Sequence, residues 1–398
     1  MLNRHLATTL QESARGYPVV TLTGPRQSGK TTLVRSAFPK HAYVSLENPD
    51  HRAFALEDPR GFLDQFEGGV ILDEVQRTPE MFSYLQGIVD EDDQPGRFIL
   101  TGSQNFLLLQ SISQTLAGRC AVLHLLPFSR SELAGQPPMD MQKVGEASKR
   151  TALPDGDLFD MLLTGGYPRI HDKHLEPQDW LANYYQTYLE RDARDVLNIG
   201  DLEALGRFIR LCAGRCGQLL NLSSLANDCG ISHTTARRWL SALEASFLVY
   251  LLRPHYRNFS KRLIKSPKLY FLDSGLLCYL LGIRSAEDLR IHASRGAVFE
   301  SWVVAEALKA YYHQGDVPQL YFWRDSTGHE IDLLIDRGQT LVPVEIKSGQ
   351  TVSNDFFKGL EYWRQLPDQA DVPAALVYGG SDGYRRRKVD VIPWHHWG

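Results

Sequence analysis

One glycine-rich segment limits what this chain can fold into more than any other part of its 398 residues. It reads Gly24-Pro25-Arg26-Gln27-Ser28-Gly29-Lys30-Thr31-Thr32. The apolar run Val19–Thr23 before it predicts a strand, and the pattern over Thr31–Phe38 predicts a helix. Glycines between a strand and a helix let backbone N–H groups converge on phosphate oxygens at the helix N-terminus. We therefore expect the whole segment to bind the phosphates of a nucleotide, the alternative being an ordinary glycine-rich turn.

The lysine and threonine near the end of this segment have separate roles at such a site. In the spacing Gly-x4-Gly-Lys-Thr, the ammonium of Lys30 reaches the β- and γ-phosphates, and the hydroxyl of Thr31 ligates magnesium. ATP and Mg²⁺ are therefore the expected cofactors.

Short apolar runs alternate with helical patterns in the first part of the chain. After the first strand, further strands are expected at Tyr43–Leu46, Val70–Leu72, Phe98–Thr101 and Val122–Leu126. A helix is expected over Asp50–Phe66. This alternation is typical of a parallel sheet covered by helices, so we predict an α/β fold with a P-loop NTPase core.

Two acidic residues end the third predicted strand. Asp73 at the strand end would hold the magnesium ion through water, and Glu74 would orient and activate the attacking water. An apolar strand ending in two acids can also be a solvated strand end. Downstream of a phosphate-binding segment, the pair favours hydrolysis of the bound nucleotide.

The strand that follows ends in Ser103-Gln104. Either side chain could lie between the phosphate segment and the acidic pair and sense the γ-phosphate; the alternative is an ordinary capped turn. Arg119 precedes the last strand of this part and is expected either to reach a neighbouring subunit as an arginine finger or to form a surface salt bridge. The first role requires a homo-oligomer.

A helix-turn-helix pattern begins at Leu222. Apolar and small residues recur at helical spacing, Gly230 stands at the turn, and Ser232 is expected to cap the second helix. The positions predicted to face outward are His233, Thr234, Thr235, Arg237, Arg238 and Ser241. These side chains suit contacts with DNA phosphates and base edges, with Phe247–Leu252 as the strand of a wing; the alternative is a purely structural module.

Two basic segments accompany this pattern. One comprises Lys261, Arg262, Lys265 and Lys268, and the other Arg385, Arg386, Arg387 and Lys388. The chain has a net charge of -4, which excludes a uniformly basic coat, so any DNA contact must come from local patches. Each segment is expected to contact phosphates or to be a solvated face.

The C-terminal part shows carboxylates on a helix and two strands. The helix Ala297–Tyr312 carries Glu300, the strand Glu330–Ile335 carries Asp332, and the strand Leu341–Ile346 leads into Glu345-x-Lys347. A strand at Leu320–Arg324 precedes them, and a helix at Phe356–Leu366 and a strand at Ala375–Tyr378 follow. This order resembles the restriction-endonuclease-like nuclease core. The resemblance implies that Glu300, Asp332 and Glu345 bind magnesium and that Lys347 is the catalytic cation, or that a nuclease-derived fold serves only for binding.

Nearly the whole chain resembles a prokaryotic AAA+-type ATPase family in which a P-loop core is joined to a C-terminal domain of unknown function. The motifs are residues 24–33, 72–76, 100–104, 116–119, 126–133, 165–168, 188–192, 266–276, 296–300, 330–332 and 344–349. The resemblance implies ATP binding, a winged helix and a nuclease-like C-terminal domain. In the segment 188–192, Glu190, Arg191 and Asp192 are expected to form no more than a helix-face ion network.

The remaining sequence sets the expected domains and surroundings. We expect an ATPase core over residues 1–135, a linker and helical lid over 136–217, a winged helix-turn-helix over 218–258 and a nuclease-like domain over 259–398. The segment 136–157 is rich in Pro, Gly and polar residues and is predicted to be a loop or weak linker. Five scattered cysteines argue against a disulfide framework and a zinc site, and the absence of a long apolar run argues against a membrane span. A cytoplasmic protein is expected.

Three functions follow from these features. The leading hypothesis is an oligomeric ATPase that engages DNA, in DNA processing or repair. The second is a nucleotide-regulated, magnesium-dependent nuclease. The third is an ATP-dependent switch that binds a protein partner.

Overall fold

The computed structural model describes residues 2–103, 115–146, 156–188, 201–255 and 266–398. These residues group into two compact units. The first contains residues up to 128 together with 245–247 and 312–316, and the second contains 129–244, 248–311 and 317–398.

The first unit is a parallel sheet covered by helices. Its strands are β1 (Val19–Thr23), β2 (Ala42–Ser45), β3 (Val70–Asp73), β4 (Phe98–Gly102) and β5 (Cys120–His124). Its helices are α1 (Leu6–Gly16), α2 (Lys30–Ala37), α3 (Pro49–Glu57), α4 (Pro59–Leu63) and α5 (Met81–Glu91). The strand order is β2-β3-β4-β1-β5, and all pairs are parallel. The predicted α/β core is therefore confirmed.

The strand order decides which segments meet. Because β4 lies between β1 and β3, the ends of all three strands share one edge of the sheet. Apolar side chains of β1 fix this arrangement on both faces: Val20 packs with Leu10 of α1, and Val19 belongs to the cluster of Phe82 and Leu85 on α5. The segments after β1, β3 and β4 consequently lie side by side.

One predicted helix, Asp50–Phe66, is wrong in its extent. The structure has two helices there, α3 and α4, with Asp58 between them in a non-helical conformation. Pro59 is the reason, because proline cannot donate the helical hydrogen bond and disfavours a helical residue before it. The Asp58 carboxylate then caps α4 by accepting from the Gly61 N–H at 3.0 Å.

The second unit combines helices with a mixed sheet. Its helices are α6 (Arg130–Leu133), α7 (Leu158–Thr164), α8 (Pro168–Lys173), α9 (Pro177–Tyr188), α10 (Leu202–Gly214), α11 (Leu222–Cys229), α12 (His233–Ala245), α13 (Ser274–Leu280), α14 (Ala286–Ile291), α15 (Arg295–His313) and α16 (Lys358–Trp363). Its strands are β6 (Val249–Pro254), β7 (Lys268–Phe271), β8 (Leu320–Arg324), β9 (Glu330–Asp336), β10 (Leu341–Lys347), β11 (Ala375–Tyr378), β12 (Tyr384–Arg386) and β13 (Val389–Pro393). The sheet order is β12-β13-β11-β10-β9-β8-β6-β7.

The C-terminal part follows the element order expected from the sequence. Helix α15 precedes three antiparallel strands, β8, β9 and β10, and β11 then pairs with β10 in parallel. The predicted helix Phe356–Leu366 is shorter in the structure, where a 3-10 turn at Asn354–Phe357 leads into α16. Buried Trp323, Phe357 and Trp363 pack in the core of this part.

Helices α10, α11 and α12 form a cluster followed by the hairpin of β6 and β7. Gly230 ends α11 with a φ of +69°, and the Ser232 hydroxyl accepts from the Thr235 N–H at 3.0 Å, which is the predicted cap. The expected wing strand Phe247–Leu252 begins later, at Val249, because Phe247 has a φ of +57° that an extended strand cannot accommodate.

The hairpin is not a separate sheet. Strand β6 pairs antiparallel with β7, and its end pairs in parallel with β8, with Arg253 opposite Tyr321. One continuous sheet therefore carries both the helix-turn-helix hairpin and the C-terminal strands. Strand β7 is brought close to the C-terminal carboxylates by this continuity.

Two further segments are fixed by buried polar contacts. The described part of the expected linker packs onto the second unit, where the Arg337 guanidinium donates to the carbonyls of Met141 at 2.8 Å and Val144 at 2.7 Å. The Asp273 carboxylate accepts from Gly166 N–H at 2.8 Å and from Leu276 N–H at 2.9 Å. Asp273 thus ties two of the sequence motifs, 165–168 and 266–276, to each other.

Among the residues described, no helix is both long and apolar enough to cross a membrane. All five cysteines are free thiols, and each is buried or half-buried.

Candidate functional site

The glycine-rich segment forms a tight loop between β1 and α2. Gly24 has a φ of +149°, and a Cβ atom there would lie 2.1 Å from the carbonyl oxygen of Leu125. Gly29 has a φ of +92° and directly precedes Lys30, the first residue of α2. Glycine suits both positions. At Gly24 there is no room for a side chain, and at Gly29 the backbone has a positive φ that residues with a side chain rarely adopt.

The loop encloses buried polar atoms suited to an anion. Lys30 is only 6% exposed, and its ammonium donates to the carbonyls of Gly24 at 2.9 Å and Pro25 at 2.8 Å. The Ser28 hydroxyl is buried and has no hydrogen-bond partner among the described residues. A cation and a free hydroxyl inside a glycine loop at a helix N-terminus fit the phosphates of a nucleotide. Of the other predicted contacts, Arg26 is half-buried, and Gln27 and Thr32 are exposed.

The end of β3 places Asp73 against the start of α2. The Thr31 hydroxyl donates to Asp73 Oδ2 at 3.0 Å, so the predicted pair is brought together. Asp73 is 6% exposed. Because the Thr31 hydroxyl acts as the donor in this hydrogen bond, the lone pairs of its oxygen remain free. Hydroxyl and carboxylate oxygens are the ligands that Mg²⁺ prefers. These two residues therefore fit a magnesium ion.

Two further hydroxyls orient Asp73, and sequence reasoning missed both. The Tyr43 hydroxyl donates to Oδ2 at 2.7 Å, and the Thr101 hydroxyl donates to Oδ1. Burial, followed by the hydrogen bond and the negative charge of Asp73, raises the pKa of Tyr43 to about 12. Tyr43 therefore stays protonated and remains a donor. The available signal was strand position, since Tyr43 and Thr101 lie on the two strands that flank β3.

Glu74 follows Asp73 in a left-handed conformation with a φ of +59°. Its Oε2 atom accepts from the Ser103 hydroxyl at 3.2 Å and from the amide of Gln76. Ser103, which directly follows β4, thus lies beside Glu74, and its predicted place between the acidic pair and the phosphate loop stays a prediction. Gln104 lies outside the described residues. A non-glycine residue held at positive φ is strained, which is a feature of sites where a side chain must be aimed.

Arg119 is engaged within its own chain. Its guanidinium forms an ion pair with Asp90 of α5, and the Arg119 side chain is 38% exposed. This is the surface salt bridge that the sequence left as one alternative. The role towards a neighbouring subunit stays a prediction.

Arg4 contacts the phosphate loop, although sequence reasoning missed it. Its guanidinium donates to the Ser28 carbonyl at 2.8 Å and to the Leu126 carbonyl at 2.6 Å, and it lies 4.6 Å from the ring centre of Phe128. Arg4 therefore links the loop to the segment that follows β5. No local motif marks it, because the contact spans 122 residues of sequence on one side.

The C-terminal candidates also come together. Lys347 donates to Asp332 at 3.0 Å and to Glu345 at 2.8 Å, and the Ile346 N–H donates to Asp332 at 2.9 Å. Glu300 on α15 accepts from the Tyr270 hydroxyl at 2.5 Å. All four predicted residues thus belong to one partly buried group, which we call the acidic cluster: Glu300, Glu330, Asp332, Glu345 and the cations on them.

Lys268 corrects the sequence interpretation of its segment. It was predicted to belong to a basic patch or solvated face, but it is only 3% exposed and lies on β7. Its ammonium lies 3.2 Å from Glu300 and also pairs with Glu330. The reason is the antiparallel pairing of β7 with β6, which buries Lys268 in the second unit. Lys261, Arg262 and Lys265 lie outside the described residues.

The cluster shifts the pKa values of its members in different directions. Burial, followed by the charge of Asp332, raises the pKa of Glu345 well above its ordinary value. Burial also raises the pKa of Glu300, against the opposing charge of Lys268. Burial alone would raise the pKa of Asp332, but Lys347 and Lys268 outweigh it and hold that pKa low. Asp332 is therefore the fixed negative charge of the group.

Comparisons with known proteins agree with the phosphate-loop geometry. A family model of an AAA domain matches residues 16–134. A model described as a domain of unknown function, DUF8612, matches residues 155–287, and another, DUF4143, matches residues 295–397. The "Uncharacterized protein Rv2008c" of Mycobacterium tuberculosis is 33% identical over 355 residues, which cover 88% of this chain and 75% of that protein. This chain belongs to the family of that mycobacterial protein.

A Mycobacterium bovis member of the family gives the same identity and coverage. Among solved structures, the Walker-type ATPase of Pyrococcus abyssi is 15% identical with a TM-score of 0.46, over 70% of this chain and 96% of that chain. AMPPCP-bound DnaA from Aquifex aeolicus is 15% identical with a TM-score of 0.27, over 60% and 85%. These likenesses are too low to bear on function. The match over residues 16–134 shows that this part of the chain is an AAA-type P-loop ATPase domain, which binds nucleotide.

In this family member, the helix-turn-helix presents polar and basic side chains to solvent. His233, Thr234, Arg237 and Arg238 are exposed, as the sequence predicted. Thr235 is half-buried and is engaged with Ser232, so it is less accessible than expected. Within the part of the chain that the structure describes, neither Arg237 nor Arg238 forms an ion pair.

The second basic segment is largely occupied by local contacts. Arg387 pairs with Glu361, Lys388 pairs with Asp371 at 3.1 Å, and Arg386 donates to Asn354 at 2.8 Å. This segment therefore offers less free positive charge than its sequence indicates.

Proposed function

We propose that this protein is an ATP-hydrolysing AAA-type ATPase that engages DNA in DNA processing or repair. The observation that supports hydrolysis most directly is the pair of contacts at one sheet edge. Thr31 donates to Asp73 at 3.0 Å, and Ser103 donates to Glu74 at 3.2 Å beside it. The proposal keeps residues 1–135 as the ATPase core, 136–217 as linker and lid, 218–258 as a winged helix-turn-helix and 259–398 as a nuclease-like domain.

In this proposal each residue of the loop has a defined task. The backbone of Gly24 to Thr32 and the ammonium of Lys30 bind the phosphates, and Lys30 exchanges its two carbonyl partners for phosphate oxygens. Thr31 and Asp73 would hold Mg²⁺, which supplies positive charge to the phosphates when bound. Glu74 accepts a proton from the attacking water, and Ser103 keeps the Glu74 carboxylate in position.

Contact with DNA is assigned to the exposed face of α12. Arg237 and Arg238 are exposed cations on the second helix of a helix-turn-helix, the element that enters a DNA groove in such modules. The chain as a whole is net acidic, so this local patch carries the argument. Arg119 is proposed to act in a homo-oligomer, where a neighbouring subunit would compete with Asp90 for its guanidinium.

The ATPase rate measured with single-stranded, duplex and branched DNA tests the proposal. We expect one form of DNA to stimulate the rate and Lys30→Ala to abolish nucleotide binding. Normal hydrolysis by Lys30→Ala would remove the site assignment. DNA affinity should fall steeply as salt rises, because phosphate contacts release counterions. An absence of binding to all three forms would remove the DNA part and leave the ATPase part standing.

A magnesium-dependent nuclease is the second candidate, and the convergence of Glu300, Asp332, Glu345 and Lys347 favours it. Cleavage should then disappear in Asp332→Ala and Lys347→Ala but survive Glu74→Gln at saturating ATP. The ammonium groups of Lys268 and Lys347 are already paired with these carboxylates. This favours the alternative in which a nuclease-derived fold serves only for binding and does not cleave.

The third candidate is a switch that binds a protein partner, and the net charge of -4 is the observation behind it. Purification of the chain with a bound protein, combined with failure to bind any nucleic acid, would favour this candidate over the first.

A further inference from the structure

The acidic cluster contains a cation that a metal-dependent nuclease core would not need. Lys347 belongs to the Glu-x-Lys pattern on β10, but Lys268 comes from β7 of the helix-turn-helix hairpin. We propose that Lys268 takes the place of a divalent metal ion, so that the cluster is a metal-independent structural site. This inference goes beyond the proposed function and does not depend on nucleotide or DNA binding.

The contacts of Lys268 are those expected of a metal substitute. Its ammonium lies 3.2 Å from Glu300 and also pairs with Glu330, so it bridges a helix and a strand of the C-terminal part. Tyr270, two residues further along β7, donates to the same oxygen of Glu300 at 2.5 Å. Period two along a strand places both side chains on one face of β7, which aims them at Glu300 together.

The remaining carboxylates are also provided with donors. Lys347 bridges Asp332 and Glu345, and the Ile346 N–H completes the contacts of Asp332 Oδ2. Helix α16 closes over Glu345, because a Cβ atom at Gly359 would lie 2.0 Å from Glu345 Oε1. Little room is left on that side of Glu345 for a hydrated ion.

The charges of the cluster are nearly balanced without a metal. When ionised, the four carboxylates Glu300, Glu330, Asp332 and Glu345 face the three cations Lys268, Lys347 and Arg324, the last of which lies 3.0 Å from Glu330. At most one negative charge remains. A divalent ion would make the site positive and would stand close to two ammonium groups, of which the Lys268 ammonium is buried and poorly screened by water. The donor set therefore does not fit Mg²⁺ in the way that the nuclease resemblance implies.

Titration with Mn²⁺, monitored by electron paramagnetic resonance, tests the inference on the full chain without nucleotide. An Asp73→Asn background removes the metal site of the phosphate loop. We expect no saturable binding of Mn²⁺ up to millimolar concentration in this background. Adding Lys268→Met should create a saturable site, because Glu300 loses its cation and Glu330 keeps only Arg324. Lys388→Met, which removes an exposed lysine paired with Asp371, is the matched control and should create none.

Two results would overturn the inference. One is saturable Mn²⁺ binding in the background protein that Asp332→Asn abolishes. The other is a folded Lys268→Met chain that still binds no Mn²⁺, which would show that Lys268 is not what excludes the ion. If Lys268→Met does not fold, thermal unfolding of the background protein tests the inference instead. The Tm measured with Mg²⁺ should equal the Tm measured with EDTA. A rise in Tm with Mg²⁺ that disappears in Asp332→Asn would contradict the inference.

Discussion

The Arg4 guanidinium donates to the carbonyl of Ser28, a residue of the phosphate loop, at 2.8 Å. In a trans peptide the carbonyl and the next N–H point in opposite directions, so fixing the Ser28 carbonyl also fixes the direction of the Gly29 N–H. That N–H belongs to the loop expected to bind phosphate. We therefore expect Arg4 to act as a positioning residue for the loop.

Arg4→Ala should weaken nucleotide binding without abolishing it. Loss of a charged hydrogen bond is worth about 1.5–3 kcal/mol, so we expect KM for ATP to rise roughly tenfold or more while kcat changes less. Arg4→Lys should not restore the wild-type KM, because an ammonium lacks the planar fork that spans two carbonyls. Steady-state ATPase kinetics measure both values.

The control is Arg15→Ala, which removes an exposed arginine from the same N-terminal region. Thermal unfolding followed by circular dichroism should show both variants folded. If KM for ATP in Arg4→Ala equals that of Arg15→Ala, the positioning role is refuted.

Glu74 and Ser103 should separate binding from hydrolysis. Glu74→Gln keeps the shape of the side chain but cannot take a proton, so we expect ATP binding near the wild-type level and a loss of kcat of about 10²–10⁴-fold. Ser103→Ala removes one donor to Glu74 and should lower kcat by about tenfold, with little change in KM. Equilibrium binding of labelled ATP, together with single-turnover hydrolysis, checks both expectations. Wild-type hydrolysis in Glu74→Gln would show that another group activates the water.

The nucleotide site was largely predictable because most of its residues lie in two short sequence segments. The loop from Gly24 to Thr32 sets its own conformation, and Asp73 and Glu74 directly follow an apolar strand. Tyr43 could not be identified in the same way, since it meets Asp73 only through the register of β2 on β3, in which Ser45 is opposite Asp73. Side chains two residues apart share one face of a strand, and this places Tyr43 on the side of Asp73.

The C-terminal cluster shows where sequence reasoning stops. Glu300, Asp332, Glu345 and Lys347 were predicted to lie together from the resemblance of this segment to a nuclease core. Lys268 could not be predicted, because its burial depends on β6 pairing with both β7 and β8. A lysine among other basic residues resembles a solvated patch until that pairing is known.

DNA binding should depend on Arg237 and Arg238. Replacing both with alanine should lower affinity at physiological salt and reduce the slope of log affinity against log salt by about 1 for each DNA phosphate that the variant no longer neutralises. Fluorescence anisotropy with the DNA form that stimulates the ATPase measures this slope. Arg207→Ala is the matched control, because that exposed arginine is already paired with Glu203 at 2.7 Å. An unchanged slope in the double variant would exclude this face of α12 as the DNA-binding surface.

Gly165 should be needed for the stability of the second unit. It has a φ of +69°, and a Cβ atom there would lie 2.4 Å from Oδ1 of buried Asp273, which also accepts from the Gly166 N–H. Gly165→Ala combines a strained backbone with a displaced buried carboxylate, so we expect a loss of about 2–4 kcal/mol in the free energy of unfolding.

All seven tryptophans lie in the second unit, so their fluorescence during urea unfolding reports on that unit alone. Gly214→Ala is the control: it ends α10 with no atom near the added Cβ and should be neutral or slightly stabilising. Equal stability of the two variants would show that the contact between Asp273 and the 165–168 turn does not hold these segments together.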